Sequence, residues 1–279
     1  MNKSNLCVIL VEPQGPLNIG SVCRVMMNFG FSVLRLVNPC HGYRSMDARK
    51  MALGALPILD NAGIFTSLTQ ALGDSHMAFG TTRRFGRYRK NFHTPEAAAG
   101  MMADMDDTIR PALVLGREDN GLDTKELSLC QHFITIPTDE AFPSMNLSHS
   151  LAVLLHEISK AAGKKKCPGA GSPGAGSPGT GSQGTGSQGT GSPGAGSPGA
   201  IPLKKPASIE NIEQMYEHMQ KTLCDIEFLD SQNPDHLMHT FRRLFGRAGL
   251  SQRDVRIIRG LMSKIEWVNT QRVKNEIDY

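Results

Sequence analysis

The loop that follows the apolar run at 6–11 holds the first side chains suited to chemistry. It reads E-P-Q-G-P-L-N-I-G and opens a predicted helix over 18–29, which places Asn18 at the helix start and Arg24 on the second turn. Helical side chains lean back toward the amino end, so Arg24 is expected to reach the loop edge, where a phosphate or carboxylate would also meet the positive end of the helix. The simpler alternative is that Asn18 caps the helix and Arg24 forms a surface ion pair.

Two later loops hold further polar side chains. In the second loop, G-R-E-D-N-G-L, Glu118 lies between two glycines that suit tight turns and a close backbone approach to a ligand. We expect Glu118 either to orient Arg24 or to hold its loop by accepting backbone N–H bonds. The third loop spans residues 137–148. Its P-S-M-N-L-S-H-S stretch brings Ser144 and Asn146 to the start of a long apolar helix, and by itself that stretch would be an N-capping cluster.

Apolar runs and helical patterns alternate over residues 1–167, as in a parallel sheet covered by helices on both faces. The predicted strands lie at 6–11, 32–37, 76–79, 112–115 and 133–136, and the predicted helices at 18–29, 47–54, 66–72, 94–105, from 123 onward and at 146–162. Glu126, three residues after Asp123, gives a capping-box pattern at the start of the helix from 123. This pattern indicates a doubly wound α/β domain, whose ligands bind at the carboxyl ends of the strands, where the three loops begin. No G-x-G-x-x-G turn follows the first strand, which argues against an NAD enzyme and an ordinary Rossmann-type methyltransferase.

A repetitive segment separates this domain from a helical one. Residues 168–200 repeat P-G-A/T-G-S without a charge or a large apolar side chain, which is typical of a flexible linker. Residues 201–279 predict a small all-α domain with helices at 208–229, 234–248 and 251–273. Ser251 is expected to cap the last helix, whose predicted apolar stripe comprises Val255, Ile258, Leu261, Met262 and Ile265.

Basic side chains are clustered, although the net charge of +4 is modest. Residues 83–90 hold five basic side chains and no acid, and residues 236–264 hold seven Lys or Arg against the single acid Asp254. Such clusters suit a polyanion, and solvated surface faces are the alternative. The longest apolar run is far shorter than the roughly 20 residues that cross a bilayer, and no secretory signal is evident, so we expect a cytosolic protein without a membrane partner.

The motifs N-I-G-S-V-C-R, G-R-E-D-N-G-L and S-M-N-L-S, in this order, resemble the three signatures of the SPOUT-class RNA 2'-O-ribose methyltransferases of the SpoU/TrmH superfamily. The tail, with F-R-R-L-F-G-R-A-G-L-S and I-R-G-L-M, is most similar to the TrmJ branch, which methylates the tRNA anticodon loop, at position 32. The resemblance implies S-adenosylmethionine as cofactor, tRNA as partner and a trefoil knot at the carboxyl end of the α/β domain. It also implies a homodimer whose active sites lie at the subunit contact.

The same resemblance assigns the site residues. The reaction centre would comprise Asn18, Arg24, Glu118, Ser144 and Asn146, and the cofactor would bind at Thr81, Thr82, Arg83, Gly116, Ile136, Pro143, Ser144 and Met145, without a metal ion. Relatives often have a small residue in place of Arg83, so that contact is expected through the backbone.

Arg24 is a poor base, because a guanidinium loses its proton reluctantly. We assign it to the RNA phosphate and the developing alkoxide, with Ser144 or a water relaying the proton. A ribosomal RNA methyltransferase and a non-catalytic RNA-binding relative are the alternative functions.

Overall fold

A parallel sheet forms the centre of the amino-terminal part of the protein. The structure is a computed structural model and describes residues 2–83, 92–166, 206–230 and 234–277. The linker at 168–200 and, apart from Arg83, the basic segment at 83–90 lie outside these ranges. The strands are β1 (Cys7–Val11), β2 (Val33–Val37), β3 (Gly63–Phe65), β4 (Met77–Thr81), β5 (Phe92–His93), β6 (Pro111–Leu115) and β7 (His132–Ile134). Their order is β3-β2-β1-β6-β4-β7-β5 and every pairing is parallel, which confirms the predicted fold class.

Helices connect the strands, and further helices follow the sheet. They are α1 (Pro16–Phe29), α2 (Met46–Ala52), α3 (Leu56–Asp60), α4 (Leu68–Ala71), α5 (Pro95–Asp104), α6 (Thr124–Ser128), α7 (Leu147–Lys166), α8 (Ile209–Asp225), α9 (Asp235–Ala248) and α10 (Gln252–Ile277). No helix in the described ranges is both long and apolar enough to cross a membrane.

The central strands are apolar throughout because both faces of the sheet are covered. In β1, Val8 and Leu10 join the core beneath α1, α5 and α7, while Ile9 and Val11 join the core on the opposite face. All of these side chains are buried, as the alternation of side chains along a strand requires. The sheet edge that carries the loops is therefore anchored by two packed layers.

The five predicted strands are present, but the two edge strands were missed. β3 spans three residues and β5 spans two, so neither is long enough to show an alternating pattern. The helix predicted at 47–54 ends at Ala52 and continues as a 3₁₀ turn and α3. The trefoil knot stays a prediction.

Helix α1 begins earlier than the sequence indicated. Pro16 occupies its first turn after an extended Gly15, since proline suits the start of a helix, and the left-handed Gly30 (φ 74°) ends it as expected. Asn18 therefore lies within the first turn instead of capping the helix. Arg24 is the ninth helical residue and belongs to the third turn, so its predicted place on the second turn was wrong.

Helices α8, α9 and α10 enclose an apolar cluster of their own. Four residues of the predicted stripe pack in or against it, but Leu261 is 56% exposed and faces outward. The cap at Ser251 is confirmed, because its Oγ accepts the N–H of Asp254 at 3.4 Å, and Oδ2 of Asp254 accepts the N–H and hydroxyl of Ser251 in return. The helices also touch the sheet domain: Ile209 packs into its core and donates its N–H to the Ser75 carbonyl, at 2.8 Å. The domain boundaries stay a prediction.

Contact between α1 and α2 is close enough to require glycine at position 20. A Cβ atom there would lie 2.2 Å from the carbonyl oxygen of Ala48 and 2.8 Å from Cβ of Met51. By contrast, a Cβ atom at Gly100 in α5 would meet nothing within 4 Å. The two helical glycines form a matched pair for substitution.

We predict that Gly20→Ala lowers the free energy of unfolding by about 1–3 kcal/mol, because the extra methyl overpacks the helix contact. Gly100→Ala should raise it by about 0.5–1 kcal/mol, the gain from removing backbone entropy in a helix. Urea denaturation followed by circular dichroism measures both. Equal stability of the two variants would contradict the close contact.

Candidate active site

A cleft with a volume of about 150 Å³ opens at the carboxyl ends of β4, β6 and β7. All of the residues that the resemblance assigned to the cofactor line it: Thr81, Thr82, Arg83, Gly116, Ile136, Pro143, Ser144 and Met145. Further lining residues were not predicted, among them the apolar Leu115, Leu122, Ile134 and Leu147 and the polar Asn120, Thr138 and Ser150. Most of these adjoin the second or third loop, so proximity to those motifs was the available signal.

The second loop is a tight turn that leaves no room for a side chain at its start. Arg117 and Gly121 exchange backbone hydrogen bonds of 3.3 and 2.9 Å, and Gly121 is left-handed (φ 68°). A Cβ atom at Gly116 would lie 2.2 Å from the carbonyl carbon of Gly121 and 2.3 Å from the nitrogen of Leu122. Position 116 therefore requires glycine because of the backbone of the turn, before any contact with a ligand is considered.

The side chain of Arg117 fixes this turn from one side. It donates to both carboxylate oxygens of Glu126 at 2.9 and 3.0 Å and to Oε2 of Glu12 at 2.9 Å. Glu126 also completes the predicted capping box with Asp123, in which each side chain accepts a 2.7 Å bond from the other's backbone N–H. The bonds to Glu126 and then Glu12 raise the pKa of Arg117 above its ordinary value. Arg117 thus ties the second loop to β1 and α6.

Glu118 holds the turn against the first loop. Its Oε2 accepts the N–H of Gln14 at 2.9 Å, and its Oε1 accepts the N–H of Gly15 at 3.3 Å and Nδ2 of Asn18 at 2.8 Å. Of the two roles considered for this carboxylate, the structure shows the binding of backbone N–H groups. It shows no bond from Glu118 to Arg24.

Asn18 and Asn146 extend this contact to the third loop. Nδ2 of Asn146 donates to Oδ1 of Asn18 at 2.9 Å, and Oδ1 of Asn146 accepts from the N–H and hydroxyl of Ser148 at 2.9 and 2.8 Å. Glu118, Asn18 and Asn146, which we call the polar bridge, therefore join all three loops beside the cleft. Ser144 lines the cleft two residues before Asn146.

Arg24 lies apart from the polar bridge. Six positions separate it from Asn18, which amounts to about 9 Å of rise and 240° of rotation along a helix. Its side chain is exposed and forms no ion pair or hydrogen bond with any residue that the structure describes. The expected reach of Arg24 to the loop edge stays a prediction, now from the third turn of α1. Within the described ranges, no group of three or more His, Cys, Asp or Glu residues could hold a metal ion.

Comparison with known proteins identifies the family. Residues 5–156, more than half of the chain, match the model of the SpoU rRNA Methylase family. This chain belongs to that family. Residues 210–277 match the C-terminal domain of the tRNA methyltransferase TrmJ, so the SpoU domain and the helical tail occur here together, as the resemblance to the TrmJ branch predicted.

Individual relatives support the same branch of the SpoU family. The tRNA (cytidine/uridine/adenosine-2'-O-)-methyltransferase TrmJ of Pseudomonas aeruginosa is 32% identical over 98% of this chain and 96% of the relative. The tRNA (cytidine-2'-O-)-methyltransferase TrmJ of Methanocaldococcus jannaschii is 40% identical, over 55% of this chain and 66% of the relative. The crystal structure of TrmJ from Z. mobilis ZM4 superimposes with a TM-score of 0.73, at 26% identity, over 93% of this chain and 98% of that one.

We predict that Gly116→Ala weakens binding of S-adenosylhomocysteine by about tenfold or more, because the new methyl displaces the 121–122 backbone that forms the cleft wall. Isothermal titration calorimetry measures the affinity, and circular dichroism checks the fold. Gly100→Ala, at an unhindered helical glycine, is the matched control. Unchanged affinity in Gly116→Ala would show that the turn does not form the binding wall.

Glu118→Gln should reduce turnover by about tenfold or more, because an amide turns an NH₂ group toward one of the N–H donors that the carboxylate accepts. Methyl transfer from labelled cofactor measures the effect. Glu140→Gln, which neutralises an exposed carboxyl in the third loop, is the control and should stay near wild type. Equal turnover of the two variants would show that the polar bridge does not contribute to methyl transfer.

Proposed function

We propose that this protein transfers a methyl group from S-adenosylmethionine to a ribose 2'-hydroxyl in the anticodon loop of tRNA, in the cytosol. The polar bridge beside a cleft lined by the expected cofactor residues is the observation that carries the proposal. Membership of the SpoU family supports RNA methylation, and the match of residues 210–277 to the TrmJ C-terminal domain favours tRNA over ribosomal RNA.

The cleft is chemically suited to this cofactor. Its apolar side chains, Leu115, Leu122, Ile134, Ile136 and Leu147, can enclose a flat base, while the backbone of the second loop and the hydroxyls of Thr81 and Ser144 supply polar contacts. S-adenosylmethionine carries a methyl group already activated by its sulfonium. The protein therefore mainly has to hold the ribose oxygen in line and help remove its proton.

The polar bridge holds the groups that do this work. Glu118 fixes Asn18, and Asn18 in turn orients the amide of Asn146 at the start of α7. Both ends of each amide are already bound, which fixes the two side chains, and the second N–H of each Nδ2 group can bind a ribose hydroxyl without reorganising. Ser144, exposed at the cleft, is placed to relay the proton: it accepts the proton of the ribose hydroxyl while its own hydroxyl proton passes to water.

Arg24 supplies positive charge for the RNA phosphate and the developing alkoxide, and we propose that it does so at the site of a second subunit. Its distance along α1 from Asn18 and its lack of a partner within the described ranges support this assignment. A homodimer with sites at the subunit contact, as the resemblance implies, would place Arg24 beside the partner's cleft.

The helical tail offers a basic surface for the rest of the tRNA. Arg243, Arg253, Arg256, Arg259 and Lys264 are exposed, whereas Arg242 is bound to Glu213 and lies over the Tyr216 ring. Exposed cations of this kind bind phosphate independently of sequence.

Methyl transfer to unmodified tRNA, with the product nucleoside identified by mass spectrometry, tests the function. We expect 2'-O-methylated nucleosides from the anticodon loop. Transfer to ribosomal RNA alone would indicate the second substrate class, and cofactor binding without transfer to either RNA would indicate a non-catalytic relative.

We predict that Arg24→Ala lowers turnover on the order of a hundredfold while S-adenosylhomocysteine affinity stays within about threefold, because a charge-stabilising donor is lost outside the cofactor cleft. Arg24→Lys should recover little, since an ammonium cannot make a two-pronged contact. Near-normal turnover in Arg24→Ala would contradict the role.

A mixed dimer locates the site that Arg24 serves. When Arg24→Ala and Asn146→Ala subunits carrying different tags are purified together, a contribution across the subunits leaves one intact site and roughly half of the wild-type turnover. A contribution within the subunit leaves a lesion in both sites, and turnover would stay as low as in each variant alone.

A further inference from the structure

Phe142 is the most exposed large apolar side chain in the described ranges, at 80% of its surface. It lies at the tip of the third loop, directly before Pro143 and two residues before Ser144. Single exposed apolar side chains are common on protein surfaces, so exposure alone does not indicate a role. The position of this ring does indicate a role, because it lies in the chain between Thr138 and Pro143, which both line the cleft.

Local hydrogen bonds fix the backbone on both sides of Phe142. The N–H of Ala141 donates to Oδ1 of Asp139 at 2.8 Å, and the hydroxyl of Thr138 donates to the carbonyl of Pro143 at 3.2 Å. Pro143 also restricts the backbone of Phe142 to extended conformations. Thr138 and Pro143 line the cleft while the exposed Phe142 does not, so the ring leaves the cofactor space free.

We infer that Phe142 is a stacking platform for an unpaired nucleobase of the RNA, at or next to the nucleotide whose ribose enters the cleft. This inference rests on the proposed function. A ribose 2'-hydroxyl in an RNA loop reaches a cleft when its nucleotide is turned out of the stack, and a base turned out in this way loses its neighbours. An exposed aromatic face replaces that lost stacking for any base, because every base has a π-face.

This assignment complements the polar bridge. The amides of Asn18 and Asn146 act on the ribose, and the exposed arginines of the tail suit the phosphates, but the described cleft offers no other exposed aromatic ring for a base. Phe142 supplies that surface two residues before Ser144. The ring contacts the flat face of the base and makes no hydrogen bond with its edge, so the contact orients the nucleotide without selecting the base.

Direct RNA binding tests the platform separately from catalysis. Dissociation constants for an unmodified tRNA transcript are measured by mobility shift with S-adenosylhomocysteine present, for Phe142→Ala, Phe142→Leu and Phe142→Trp. We expect Ala and Leu to weaken binding by about tenfold and Trp to stay within about twofold, because leucine keeps the apolar bulk but lacks the ring face. Ile64→Ala, at an exposed apolar residue on the far edge strand β3, is the control.

Two further measurements on the same preparations test the alternative roles of this ring. Calorimetry measures the affinity for S-adenosylhomocysteine, and light scattering measures the oligomeric state. Wild-type RNA affinity in Phe142→Leu would overturn the proposal. A loss of cofactor affinity as large as the loss of RNA affinity would make the ring a cofactor cover, and a change of oligomeric state would make it a subunit contact; either result contradicts the platform. Absence of methyl transfer by the wild-type protein would refute the proposed function without altering the binding comparison.

Discussion

The carboxylate of Glu118 accepts two backbone N–H groups and the amide of Asn18, and through them it holds the first loop against the second. An ionised carboxylate has acceptor sites on both oxygens and no donor, so it suits this pocket of donors as no amide or hydroxyl could. With Nδ2 of Asn18 bound there, its Oδ1 faces the third loop and accepts from Asn146. A single charged group thus links all three loops, the third of them through Asn18.

Arg117 attaches the same turn to Glu12, at the start of the first loop, and to Glu126 on α6. Arg117 and Glu118 therefore both bind the first loop, and Arg117 ties the turn to α6 as well. Glu12 has a left-handed backbone (φ 45°), an uncommon conformation for a residue with a side chain, and its bond to Arg117 helps to maintain it. A wall fixed in this way can present its backbone to a ligand without reorganising when the ligand binds.

The site also contains groups that the structure leaves without a partner in the described ranges. Arg24 and Phe142 are both exposed, the first on α1 and the second at the tip of the third loop. The polar bridge has its contacts within the chain, whereas these two side chains are exposed. We assign Arg24 to an RNA phosphate and Phe142 to a nucleobase. On this assignment the polar bridge is a preformed centre, and the side chains around it bind the RNA.

Local patterns in the sequence determined the α/β class, the central strands, the capping box at Asp123, the cap at Ser251 and the end of α1 at Gly30, because each signal lies within a few residues. The motifs likewise indicated the residues of the cleft. Tertiary structure decided which groups meet. Glu118 binds Asn18, 100 residues away, because β1 and β6 are neighbours in the sheet and their following loops emerge side by side. Edge strands of two or three residues also depended on such contacts, since pairing across the sheet leaves no periodic pattern in so short a segment.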